Sequence, residues 1–223
     1  MIRYDYFEHI AVLVGLEERL FQVSQKIICE SSKFFKAATT GPWKESSEKI
    51  VRLPEADAHI FGIYIGWLHT AILDLSKTPD DLPLPQYSED VPDGIVGNIR
   101  TIIVDSYILG DMSQDSEFCN DVVDDFIRLT EEMNSLPDVG ALAAIWTKLP
   151  QQSTMRKLLV DYFSADIKIS TFLEDAHMYP TEFILEIAKA GIRDGDVGKD
   201  ARKPSSRGEG FYHMPKDGSS GTS

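Results

Sequence analysis

FQVSQKIICESSKFFKAATTGPWKE, residues 21–45, is the stretch on which the fold turns. Phe21 and Val23 alternate with polar residues as the end of a strand does, since strand side chains face opposite ways in turn. Ser24 is placed to cap a helix over 25–30, in which Ile27, Ile28 and Cys29 are apolar. Ser31 or Ser32 is placed to cap a second helix over 33–39, and Gly41-Pro42 breaks it. Upstream, Ile10 to Val14 reads as a buried strand, Gly15 to Glu18 as a turn, and Arg19 to Val23 as the returning strand of a hairpin. Downstream, Lys49 to Leu53 alternates as a third strand.

Further out the pattern becomes helical. Asp57 is a candidate N-cap for a helix through Thr70, whose apolar face is Ile60, Phe61, Tyr64, Ile65 and Leu68. Residues 76–94 hold four prolines among acids and few apolar groups, the composition of an inserted, exposed loop. From Asn98 one stripe is Ile99, Ile102, Ile103 and Tyr107, and a second is Phe118, Val122, Phe126, Leu129 and Met133. Ser135-Leu136-Pro137-Asp138 reads as a helix start with Val139, Leu142, Ala143 and Trp146 behind it. Met155, Leu158, Leu159, Tyr162 and Phe163 follow the same period, Thr171 and Glu174 have capping-box spacing, and Phe183, Ile184 and Ile187 form a last stripe. Residues 193–223 are rich in Gly, Ser, Lys and Asp, too poor in apolar surface to offset their ordering entropy, and are expected to be a disordered tail. The expectation is an α+β unit over 1–130, an all-helical extension over 131–192 and the tail.

The chain has 223 residues, 43% of them hydrophobic, and a net charge of −14. Residues 194–223 balance five acids against five bases, so the body, with 17 bases against 31 acids, carries all of that charge. Such a surface repels phosphate backbones, which disfavours nucleic acid, and favours a partner with a basic face. No 18-residue apolar run offers a membrane span, and Asp5 and Glu8 stand where a signal peptide would be apolar. Cys29 and Cys119 lie in apolar helical patterns, as thiols of a reducing compartment do; cytoplasm or nucleus is the expected location.

Chemistry is poorly supported. The histidines at 9, 59, 69, 177 and 213 share no metal-ligand spacing with one another or with a cysteine. There is no Gly-x-Ser-x-Gly elbow and no glycine-rich phosphate loop. Asp121, Asp124 and Asp125 lie on the polar side of the 118–133 stripe and read as a solvated face, not a metal site. The chain is expected to be no enzyme and to use no metal and no cofactor.

The order of these motifs resembles the BTB/POZ domain. The matching pieces are the strand at Phe21 and Val23 running into Ile27-Ile28-Cys29, then Ser32-x-Phe34-Phe35 and Gly41-x-Trp43-x-Glu45. The strand Ile50 to Leu53, the helix end Trp67-Leu68-His69-Thr70, and Asp105 to Met112 (DSYILGDM) continue it, over about 10–130. The resemblance implies a small sheet capped by helical hairpins, devoted to protein–protein association. In relatives that recruit a cullin, a hydrophobic-x-Glu motif follows this helix. Its counterpart here is Trp43-Lys44-Glu45, with Trp43 as the anchor and Glu45 as its polar partner. The 131–192 extension then resembles either the helices that widen the cullin surface or a divergent BACK extension. Met155 to Asp161 is similar to the helical tail of small fungal-type members.

Three departures bear on self-association. Ser24-Gln25 stands where the family usually has His followed by a base, His9 stands where it has Asp, and only about nine residues precede the first strand. The charged pocket and swapped strand of the zinc-finger-type dimers are therefore missing, and weak or no homodimerisation is expected. The resemblance thus implies a substrate adaptor of a cullin-RING ubiquitin ligase. The alternative is a non-ligase scaffold or transcription-linked regulator that acts through self-association or partner binding.

Overall fold

The computed structural model describes residues 8–42, 44–73, 75, 93–133, 136–166, 176–197, 204–208 and 210–215. It is a mixed α+β fold, in which a three-stranded sheet is followed by a predominantly helical remainder. Strands β1 (His9–Val14) and β2 (Arg19–Ser24) form the antiparallel hairpin, and β3 (Ile50–Leu53) joins the other edge of β1 in parallel, giving the order β2-β1-β3. The hairpin turn bends through positive φ at Gly15 and Glu18, and the Glu18 N–H donates to the Gly15 carbonyl at 3.1 Å. The strand alternation put one face inward, as expected: Ile10, Val12, Val14, Val23, Val51 and Leu53 are buried.

Between β2 and β3 the chain makes α1 (Gln25–Ser31), α2 (Lys33–Thr40) and the short α3 (Lys44–Glu48). Ser32 caps α2, accepting from the Phe35 N–H at 3.1 Å. Ser24 occupies the cap position of α1 but makes no side-chain cap bond, and its hydroxyl is buried without a partner; the helix start is held instead by the Gln25 N–H, which donates to the Glu8 carbonyl at 2.8 Å. The segment after the Gly41-Pro42 break contains α3, which Ser46 ties to α2 by donating to the Thr39 carbonyl at 2.8 Å.

Helix α4 (Ala58–Thr70) starts as read: Asp57 accepts from the His59 and Ile60 N–H groups at 2.7 and 3.1 Å. Its inward face is turned slightly from the expected one. Ile63 and Trp67 are buried with Ile60, Phe61 and Tyr64, whereas Ile65 and Leu68 are half-buried. The Trp67 indole explains the rotation: it packs on Phe118 at 5.0 Å and donates to Asp121 at 2.7 Å. Phe21 reaches from the sheet to Phe61, ring centroids 5.0 Å apart, and joins the hairpin to α4.

The helical remainder runs α5 (Asp93–Ser113), α6 (Ser116–Met133), α7 (Val139–Lys148), α8 (Thr154–Asp166) and α9 (Thr181–Val197). Helix α5 starts five residues before the expected Asn98, taking in the end of the supposed loop; residues 76–92 of that loop lie outside the described residues, as does the Thr171–Glu174 spacing. The helix start read at Ser135-Leu136-Pro137-Asp138 leads into α7, and Asp138 is its cap, accepting from the Ala141 N–H at 2.8 Å. One continuous core runs from β1 to α9. Among the described residues, no helix is long and apolar enough to cross a membrane.

A buried polar knot at the α5–α6 corner links the two halves. Asp115, 1% exposed, accepts from the Tyr64 hydroxyl at 2.9 Å, from the Ser31 hydroxyl, and from the Phe118 N–H at 3.1 Å. Ser32, while capping α2, also donates to the Ser113 carbonyl. Just before the corner α5 and α6 nearly touch: a Cβ on Gly110 would lie 2.7 Å from Cys119 Sγ and 2.9 Å from Phe118 Cδ1. Gly110→Ala is therefore expected to cost about 1–3 kcal/mol by overpacking. The check is a lower urea midpoint at unchanged slope.

The expected disordered tail is corrected over 204–208 and 210–215. A 3-10 turn over Pro204–Arg207 and the chain after it lie on α6 and α8, with Pro204 and Tyr212 buried. Averaged over the whole tail, composition hid one compact aromatic anchor.

Candidate interaction surface

Helix α2 ends at Gly41, whose N–H donates to the Ala37 carbonyl at 3.0 Å. Of the three residues expected to bind a partner, Trp43 lies outside the described residues. Lys44 opens α3, and its side chain is likewise outside them. Glu45 is exposed in the first turn of α3. The tie from Ser46 to α2 holds the backbone that presents it.

A second feature was not read from the sequence. Where the β3–α4 turn, α5 and the end of α7 meet, a groove of about 590 Å³ opens. Its floor is apolar, with Ile60 and Leu109 buried and Ala56 and Ile108 half-buried, and Met112 stands at its side, 38% exposed. Its rim is acidic: Glu55, Asp57, Asp105 and Asp111, against the single base Lys148. Asp105, Ile108 and Met112 recur at helical spacing on α5 and so share a face. That face was visible in the sequence, but its meeting with the end of α7 is a tertiary event with no local signal.

Electrostatics follow from this geometry. Burial pushes the Asp105 carboxyl above its ordinary range; Lys148 pulls against that shift and Asp57 adds to it. Burial pushes Asp111 up too. A carboxylate held partly out of water gains more from a cation that docks beside it than a fully hydrated one does. An apolar floor under an acidic rim therefore suits an apolar side chain flanked by basic residues.

The acids of α6 are less idle than a solvated face. Asp121 accepts from Trp67, Asp124 pairs with the His213 Nε2 at 2.8 Å, and Asp125 pairs with Arg128 at 2.8 Å. Each serves a different partner. Among the described residues, no group of three or more His, Cys, Asp or Glu is placed to hold a metal ion. His9, His69 and His177 are exposed and His59 is half-buried. Both cysteines are free: Cys29 lies 3.1 Å from the Thr39 hydroxyl, and burial pushes the Cys119 thiol up, which makes it a poor nucleophile. No known protein-family model matches the chain.

Proposed function

We propose that this chain is a protein-interaction module of the BTB/POZ kind, serving as a substrate adaptor of a cullin-RING ubiquitin ligase. The observation that carries the reading is the course of the chain around its sheet. A hairpin leads into two short helices, the chain breaks at Gly41-Pro42, α3 turns Glu45 to solvent, and β3 returns parallel to β1. This is the order in which the motifs of that family stand in the sequence, and it puts the Trp43-Lys44-Glu45 segment between α2 and β3. The acidic groove at the β3–α4 turn adds a second surface for a basic partner.

The experiment is affinity capture with the full chain, followed by mass spectrometry. A cullin is expected among the captured proteins. Trp43→Ala is expected to weaken its capture about thirty- to a thousand-fold, because truncating a central aromatic anchor typically costs about 2–4 kcal/mol. The melting temperature should stay unchanged, and Glu45→Ala should have a smaller effect. A wild-type chain that captures no cullin ends this reading. A large fall in melting temperature for Trp43→Ala makes that ring part of the core.

One observation favours the scaffold reading instead. Leu16 and Leu20, on the hairpin, are 92% and 57% exposed. Apolar groups of this size at the edge of a sheet suit association with another chain. A concentration-independent dimer in sedimentation would move the balance toward it.

A further inference from the structure

The segment after α9 is held by contacts of the kind proteins use to read peptides. Among its described residues it has no strand or α-helix, only the 3-10 turn at Pro204–Arg207. Gly208 and Gly210, with φ of 90° and 76°, fold it back on itself in a conformation other residues adopt only under strain. The Asn120 side chain then grips its backbone in both directions: Oδ1 accepts from the Met214 N–H at 2.7 Å, and Nδ2 donates to the Met214 carbonyl at 3.3 Å. Such a paired contact holds an extended chain whatever its side chain is.

Side-chain recognition surrounds that clamp. Tyr212, 2% exposed, sinks its ring and donates its hydroxyl to Asp161 at 2.8 Å. Arg207 lies 3.7 Å from the same carboxylate, and His213 meets Asp124. Phe211, 44% exposed, stands between two cations, Lys157 at 4.3 Å and Arg207 at 5.1 Å from its centroid. The receiving face sets Asp161 and Asp124 against Arg207 and His213, and Lys157 against the Phe211 ring, so charged groups on each side find partners on the other.

We propose that the face shared by α6 and α8 is a peptide-docking site, which reads a turn-folded segment carrying a basic residue and, five and six residues on, an aromatic and a second basic residue. Residues 204–208 and 210–215 occupy it in cis and close it to a partner protein's segment of the same chemistry. Tethering makes this economical. A segment joined to its site by a short link acts at an effective concentration of order millimolar, so modest intrinsic affinity keeps the site closed. A partner enters when its own concentration, or a second contact elsewhere on the chain, outweighs the tether.

The probe is a fluorescent peptide copying residues 201–216, ARKPSSRGEGFYHMPK, read by anisotropy against the full chain. Wild type is expected to bind it weakly, because the site is filled. Tyr212→Ala in the chain removes the anchor of the resident segment, and the peptide should then bind at least ~10-fold more tightly, as expected when a tethered competitor is lost. Adding Asn120→Ala or Asp161→Asn to that variant should abolish the gain. Equal binding to wild type and Tyr212→Ala, or binding indifferent to Asn120, overturns the proposal. A second measurement covers the case in which Tyr212→Ala does not fold. A protease site is introduced between residues 198 and 203, and the wild-type chain is cut after folding. Exchange of the cut segment for the labelled peptide, dependent on Asn120, supports a docking site. Unfolding of the cut chain on dilution makes the segment ordinary core and overturns it.

Discussion

Phe35→Ala is expected to lower the stability of this fold by about 3–5 kcal/mol, the range for deleting a fully buried aromatic ring and leaving its cavity. Phe35 is 0% exposed. Its ring stands 5.2 Å from Phe34 and 6.2 Å from Phe61, at the junction of α2 with α4. Relaxation cannot fill the gap, because Ser32 pins the backbone on one side by capping α2 and Phe61 is fixed on the other by Phe21. For a chain of this size the loss corresponds to a fall of roughly 6–20 °C in melting temperature. A mutant that melts like wild type would place the ring outside the core.

Asp115→Ala is expected to cost a similar amount, about 3–5 kcal/mol, for a different reason. Three donors lose their acceptor at once: the Tyr64 hydroxyl, the Ser31 hydroxyl and the Phe118 N–H. Each buried donor left without a partner costs about 1–3 kcal/mol. The same carboxyl gives a pH signature. Burial pushes its pKa above the ordinary carboxylate value of 3.8, and the hydrogen bonds from Ser31, Phe118 and Tyr64 only partly offset this. The folded state therefore holds the proton more tightly than the unfolded state. The contribution of Asp115 to stability is greatest below 3.8, where both states are protonated, and falls as pH rises through the folded value. Asp115→Asn keeps the shape and removes the titration. The stability difference between wild type and Asp115→Asn should therefore move in favour of wild type on acidification from neutral pH, as thermal melts across that range would show. A difference that moves the other way would mean the hydrogen bonds outweigh burial.

The secondary structure was legible where its causes are local. The hairpin, α1, α2 and β3 fall within a residue or so of their sequence-based limits, because alternation, caps and the Gly41-Pro42 break all act over a few residues. Asp57 was recognisable as a cap for the same reason. What failed depends on distant neighbours. Leu68 has the spacing of a core residue yet is half-buried, because Asp121, on another helix, draws Trp67 inward. Tyr212 sits in a stretch whose average composition is that of a coil, and its place comes from Asp161, dozens of residues upstream, which accepts its hydroxyl. Of the expected binding residues, Glu45 is exposed, while the acidic groove was invisible because α5 and α7 had to be brought together first.

The parallel pairing of β3 with β1 has a consequence for how the protein is made. β1 is the middle strand, and its two neighbours are synthesised at very different times. β2 follows after one tight turn, whereas β3 emerges only when α1, α2 and α3 have been translated. Through that interval the N–H groups of Ala11 and Gly15 await the carbonyls of Lys49 and Leu53, and the apolar face at Ile10, Val12 and Val14 awaits its cover. A nascent hairpin with an open edge is a template for strands of other chains. Slowing translation after β1 and β2 have emerged from the ribosome and before β3 has would lengthen that exposure and lower the soluble yield.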